Sequence, residues 1–463
     1  MAYTTTLIDV DIARMVRVKR FLECFRADAN LREQLSTDPS SVHLAHDLDL
    51  DLEDLRPIWD PNFVEQHAPQ IPISKLLADY QTFADQRLTW SDLRDIGDRS
   101  ANMAYHHWRQ RQIRRCDSEL GPSFNGNIVH SPAVFELSKG CSVGCWFCGI
   151  SAPKLGDIFR DTSDNRSLWQ ETLDTLKGVL GPAATAGFCY WATDPLDNPD
   201  YEVFCLEYAN QMGLFPQTTT AQPLRDPDRM RRLLKLSQER GCKVNRFSIL
   251  SLKILERVHA EYTPDELAQV ELVLQMPHTD VAKAKAGRSL ETMTAKPDQV
   301  KDHHFLPGGT IACVSGFLFN MVERSVQLIT PCNASVRWPL GYQILATGSF
   351  SCGDDLGEVL QRMIEQQMPT EIRPEHRLRF REDLAFEPLP DGFGLNSRYL
   401  KRKFTGDPVL TSIAQQIVTG KQTAGEIAKR FWPIGIPHSL IQDLFNRLLN
   451  KGVLDEEVLT DRP

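Results

Sequence analysis

Apolar residues recur at helical spacing near the start of the chain. Ile12, Met15, Val16, Phe21, Leu22 and Phe25 form one stripe, which predicts a helix over 8–37. Pro39 and Pro57 then cut the chain into short pieces. A second long helical pattern covers 74–116 and stops near Gly121-Pro122. From 132 the period changes. Short apolar runs at 132–140, 187–193, 215–221, 243–250 and 269–276 read as strands, separated by amphipathic helices at 165–181, 201–213 and 226–241. Such alternation predicts a parallel sheet, whose chemistry sits at the carboxyl ends of the strands. A polar run at 283–309 reads as a loop, and 310–332 carries one or two further strands. The tail, 408–457, reads as three short helices, with Gly420 and Gly452 as stops.

Composition narrows this little. With 463 residues, two or three domains are expected, and 41% hydrophobic and 24% charged residues are ordinary for a globular protein. No apolar run approaches the ~20 residues of a membrane-spanning helix. The start, MAYTTTLIDVDIARM, lacks the basic and apolar regions of a secretory signal. Together with eleven scattered cysteines, this predicts a cytoplasmic protein without membrane attachment. The net charge of −9 argues against nucleic-acid partners. Arg109, Arg111, Arg114 and Arg115 cluster at 106–116, where a solvated helix face is expected, with a surface for an acidic peptide as the sharper reading.

The informative chemistry lies in KGCSVGCWFCGIS, where Cys141, Cys145 and Cys148 are spaced C-x3-C-x2-C directly after the first predicted strand. Three thiolates can hold three irons of a [4Fe–4S] cluster, where ferredoxins supply a fourth. The next cysteine is Cys189, so one iron stays open. A zinc knuckle is the competing reading, but it wants a second cysteine pair, and none follows. This motif resembles that of the radical S-adenosylmethionine (SAM) enzymes. The resemblance implies that the open iron chelates SAM, that SAM is cleaved to a 5′-deoxyadenosyl radical, and that Phe147 packs near the adenine. It further implies an α/β fold: a partial (β/α)6 radical SAM barrel.

Other residues extend the resemblance. Ala192-Thr193-Asp194-Pro195 follows the second predicted strand, where the superfamily carries a Gly-Gly-Glu-Pro loop. Asp194 takes the acidic position for the SAM amino group, although the glycines are missing. On the fourth strand Arg246 and Ser248 share a face under the period of two, suited to the SAM carboxylate and a ribose hydroxyl. Gln275 is a polar candidate at the end of the fifth.

Most of 1–400 resembles the radical SAM epimerases of ribosomal peptide maturation, the polytheonamide epimerase family. The carrying segments are FELSKGCSVGCWFCGIS, YWATDPLDNPDYE, NRFSILSLKILERVHAEYTPDEL and LITPCNASVRWPLGY. The family implies removal of a Cα hydrogen from an L-residue of a precursor peptide and return of hydrogen from the other face by a cysteine thiol. Cys332, at the end of the apolar run SVQLIT, is expected at the mouth of the barrel as that donor, with Cys313 and Cys352 as alternatives. Implied partners are a precursor peptide with its leader and an electron donor such as flavodoxin or ferredoxin. The segment FLECFRADANLREQLSTDPSS is similar to leader regions of peptide precursors, and GKQTAGEIAKRF with LFNRLLNKGVL resembles winged-helix peptide-recognition elements. The expected organisation is a helical, leader-like region at 1–60, a helical connector at 61–125, the barrel at 126–400 and a winged-helix-like domain at 401–463, with docking and chemistry on separate modules. Two readings stay open beside epimerisation: thioether or carbon–carbon crosslink formation, and a noncatalytic iron–sulfur peptide-binding protein.

Overall fold

The computed structural model describes residues 11–85, 90–242, 244–276, 279, 281, 283–295 and 310–460. Its apolar stripes segregate into cores. The first gathers Met15, Val16, Phe21, Leu35, Leu55 and Leu76. The helix expected over 8–37 is two, Ile12–Ala27 and Ala29–Thr37, and residues 8–10 lie outside the described residues. The break is Asp28: its backbone is extended (φ −105°, ψ 111°) and its carboxylate accepts from Asn30 N, capping the second helix. The long pattern at 74–116 likewise divides into Lys75–Asp85, Trp90–Gly97 and Met103–Leu120.

The central unit is mixed α/β. Strand β1 (Ser131–Glu136) has no exposed position. Ala133 and Phe135 face helices Ser163–Leu180 and Tyr201–Met212, where Phe135 meets Trp169 edge-on at 4.9 Å. Val134 faces the other way, against Phe188 and Leu318. After β1 comes a short antiparallel pair, β2 (Ser138–Lys139) and β3 (Asp157–Ile158), which ties off the cysteine loop. Strands β4 (Thr219–Thr220), β5 (Asn245–Ile249) and β6 (Val270–Leu274) form a parallel ladder. The strand expected at 187–193 reduces to one parallel bridge, Val134 to Phe188. Tyr190 then reaches the β4 ladder by hydrogen bonding with Gln217 and Thr219. The region 310–332 holds two strands, β7 (Val314–Asn320) and β8 (Ser325–Pro331), followed by β9 (Tyr342–Ser349). Strand β7 returns beside β1, parallel to it, instead of extending the β6 edge; β8 and β9 follow antiparallel.

The C-terminal core runs from Ile372 to Leu459. It packs an antiparallel sheet of β10 (Ala385–Leu389), β11 (Gly392–Asn396) and β12 (Lys401–Thr405) against helices Val409–Thr419, Ala424–Phe431 and His438–Asn450. The three tail helices are present as expected. Three strands precede them in the same core, so position 401 falls at the start of β12, inside this unit.

The solvated face expected at 106–116 is not found. Arg109 and Arg111 are 1% exposed and Arg115 is 5% exposed. Arg109 pairs with Asp98 and donates to His130 O, Arg115 pairs with Glu119, and Arg111 reaches Glu456 of the C-terminal unit at 3.1 Å. Arg381 returns the contact, donating to Ser118 Oγ at 2.8 Å, and Arg114 donates to Asn450 O at 2.6 Å. Helix Met103–Leu120 is therefore a shared strut. The C-terminal unit is packed on the centre through buried charges, and is not a tethered module.

Candidate functional site

The cysteine loop leaves the carboxyl end of β1 and closes on itself. Cys141 N donates to Pro153 O, and Leu155 N donates to Cys141 O. Gly140 makes the closure possible: at φ +87° it lets the two strands touch where a Cβ would strike the Lys154 carbonyl. Behind the first cysteine, buried Asp197 accepts from Ser142 N (2.8 Å) and Ser142 Oγ (2.5 Å) and pairs with Arg225 at 2.9 Å. The three cysteines are partly exposed. Two of their sulfurs accept backbone N–H groups: Val143 N to Cys141 Sγ and Ala152 N to Cys148 Sγ, each 3.4 Å. Burial pushes the Cys145 thiol up to about 12, and negative charge on Cys141 and Cys148 pushes it the same way.

Among the described residues no three His, Cys, Asp or Glu side chains converge on a point where a single ion would sit. A polynuclear cluster asks for a different layout: one thiolate per iron, at alternate corners of a cube, with N–H groups aimed at the sulfurs. Three neighbouring thiols on one loop, two already accepting amides, fit that demand.

The remaining predicted residues divide. Phe147 sits in the loop, half-buried, edge-on to Trp146 at 5.6 Å. Arg246 and Ser248 share the helix-free face of β5, since Phe247 and Ile249 take the core side. Arg246 pairs with Glu271 on β6 at 2.6 Å. Gln275, just past β6, buries an Oε1 that has no hydrogen-bond partner among the described residues. An orphaned acceptor at the end of β6 suits a polar cofactor. Asp194 suits it less. Its oxygens already accept from Thr220 Oγ1, Ala221 N and Leu196 N, and burial raises its carboxyl above the usual range despite those donors. The carboxylate thus fixes its own turn.

Cys332 is not at the mouth. Pairing of β1 with β7 sets Glu136 beside Asn320, and β7 with β8 sets Asn320 beside Ser325. The far end of β8, and Cys332 after it, therefore lies at the opposite end of the sheet from the cysteine loop. There it is 2% exposed in a cavity shared with Arg115, Glu119 and Arg381, and burial pushes its thiol well up. The physical reason is strand direction: β8 runs antiparallel to β1. Cys352 is exposed at the start of helix Gly353–Gln367. Cys313 packs against Val134 and its neighbours on the helix-free face.

Two residues of the site are invisible in the sequence pattern. Glu136 ends β1 with one oxygen accepting from Ala192 N (2.9 Å) and the other from Asn320 Nδ2 (3.0 Å). Burial pushes its carboxyl up to about 7. It ties β1 to the loop carrying Asp194. Arg288 lies in the polar run read as a loop; its 296–309 portion is outside the described residues, but 287–295 is helix. That helix touches the cysteine loop, and nothing in AKAGRSLETMTA marks it.

Comparison with known proteins adds a family. Residues 378–452 match the family described as "Protein y4wI C-terminal domain". The uncharacterized protein y4wI of Sinorhizobium fredii (strain NBRC 101917 / NGR234) is 38% identical over 458 residues, covering 96% of this chain and 88% of that protein. Among solved structures, BtrN in complex with AdoMet and 2-DOIA aligns at 14% identity over 31% of this chain and 55% of that chain, with a TM-score of 0.23. A likeness that slight carries no argument here. No helix among the described residues is long and apolar enough to cross a membrane.

Proposed function

The chain belongs to the y4wI family, and from that premise and the cysteine loop we propose a radical SAM enzyme that epimerises residues of a ribosomally made precursor peptide. The carrying observation is the loop itself: three partly exposed thiols at the carboxyl end of a buried parallel strand, two accepting backbone N–H groups. Cys141, Cys145 and Cys148 would hold a [4Fe–4S] cluster. When bound, the cluster and SAM supply the radical chemistry that removes a Cα hydrogen. Ser248, Gln275 and Arg246 line the helix-free face suited to the cofactor's polar groups, with Phe147 beside the loop. Glu136 and Asp194 hold the loop after Phe188 in place. The arrangement suits a partial (β/α)6 barrel completed by β7 returning to β1.

With Cys332 displaced, strand direction also removes Cys313, which precedes β7 beside Ser131 at the same far end. The hydrogen donor passes to Cys352: β9 ends beside Ser325, at the cysteine-loop end of the sheet, and the exposed thiol follows it. Three strands followed by three helices support the winged-helix-like reading of the C-terminal unit. Edge strand β12 carries Lys401, Arg402 and Lys403, which suits an acidic leader segment added as a further strand. A flavodoxin or ferredoxin in the cytoplasm would supply electrons.

The reaction is tested by running it in D2O. Thiol hydrogens exchange with solvent, so each inverted residue should gain one deuterium, about one mass unit. Cys352→Ala should cleave SAM yet yield few D-residues. A crosslinked product that loses mass would overturn epimerisation. Undiminished D-residue yield from folded Cys352→Ala would remove the donor assignment.

A further inference from the structure

Four carbonyls of the cysteine loop converge on one short helix, Gly287–Ala295. Arg288 Nη1 donates to Cys145 O at 3.1 Å and its Nη2 to Ala152 O at 2.6 Å. Ser289 N donates to Cys148 O, and Thr292 Oγ1 donates to Trp146 O, each at 3.4 Å. The approach is close enough to need glycine. Gly287 sits at φ +51°, and a Cβ there would strike the Gly149 carbonyl. Gly287 N in turn is anchored on Pro339 O at 2.9 Å.

The consequence concerns which way the peptide groups face. A loop that wraps a thiolate cluster needs its N–H groups on the sulfurs and its carbonyls elsewhere. Here the carbonyls are engaged on the helix side, while Val143 N and Ala152 N meet Cys141 and Cys148 Sγ. Ala152 is held on both counts, its carbonyl by Arg288 and its N–H on sulfur. A guanidinium can span two carbonyls in one plane; an ammonium cannot hold both in that fixed geometry. It also keeps a permanent positive charge beside the thiols. Net charge and hydrogen bonding around a cluster set its potential.

We propose that Arg288 is a positioning residue for the cluster, holding the Cys145–Ala152 turn in its binding geometry and biasing the site toward the reduced, more negative state. This rests on the reading that the loop binds [4Fe–4S]. The test compares anaerobically reconstituted wild type with Arg288→Gln and Arg288→Lys by iron content, iron loss to a chelator, and the midpoint potential of the cluster. Arg288→Gln should release iron on the order of tenfold faster. Its potential should fall by about 59 mV, a tenfold change in the one-electron equilibrium. Arg288→Lys keeps the charge but not the fork, so its potential should stay near wild type while iron is still lost faster. Should Arg288→Gln fail to fold, iron loss from Arg288→Lys decides. Iron retention and potential equal to wild type in the folded variants would overturn this inference alone. Wild type that takes up no iron would overturn the functional reading, and this inference with it.

Discussion

At Glu136 burial opposes charge. The carboxyl is pushed up to about 7, chiefly by burial, while the donors Ala192 N and Asn320 Nδ2 hold it back and Glu323 adds like charge. Its folded value lies above its unfolded one, so the folded state binds the proton more tightly. The stability it contributes is full below about pH 4.5 and is lost as pH rises through about 7. Glu136→Gln should remove that dependence. By urea denaturation, the advantage of wild type over the variant should shrink by about 3 kcal/mol between pH 4.5 and 8. A pH-independent difference would place the carboxylate in an ionised, solvated setting. Residue identity made the cysteines legible, because their spacing alone specifies three nearby thiolates. It could not show that Asp194 spends its oxygens on Thr220, Ala221 and Leu196. Nor could it show that Glu136, which stands inside the strand read over 132–140, ends β1 as a buried carboxyl.

At the scale of elements, alternation of apolar runs and amphipathic helices gave the parallel strands, and helix stops gave the tail. Direction was the missing quantity. SVQLIT looks the same whether it runs with β1 or against it, and only its pairing with β7 puts Cys332 at the far end. The helix Gly287–Ala295 escaped because its sequence is polar and short, and its partners are loop carbonyls and not a core. The edge strand β12 carries a prediction. If a leader segment adds to it, Lys401→Glu with Lys403→Glu should weaken precursor binding about tenfold, near 1.4 kcal/mol. Both side chains are exposed, so iron content should not change. Precursor affinity equal to wild type by calorimetry would move docking to the N-terminal helices.

At the scale of the molecule, helix Met103–Leu120 joins two cores. Arg111 and Arg114 looked like part of a solvated face because their partners, Glu456 and the Asn450 carbonyl, are far away in sequence. Arg111 is 1% exposed and Glu456 11% exposed at the side chain, and Gln112 Nε2 also donates to Glu456 at 3.0 Å. Removing one partner of such a pair leaves the other buried and unmatched. Glu456→Ala should therefore cost about 3 kcal/mol, read by thermal unfolding, and should loosen the C-terminal unit first. A loss below about 0.5 kcal/mol would make the pair a surface one. For the same reason, deleting 408–457 would strip Arg111 of Glu456 and Arg114 of the Asn450 carbonyl, so point substitutions on β12 are the cleaner probe of docking.

The central claim is that the loop after β1 binds a SAM-cleaving cluster. The most direct measurement is iron content and 5′-deoxyadenosine formation by the anaerobically reconstituted, reduced protein, beside its Cys141→Ala, Cys145→Ala and Cys148→Ala variants. The account predicts about four irons per chain in wild type, since the three clustered ligands serve one [4Fe–4S] centre. It also predicts 5′-deoxyadenosine from SAM, with both signals lost in each variant. Stable zinc without iron, or iron uptake and SAM cleavage that survive these substitutions, would contradict it.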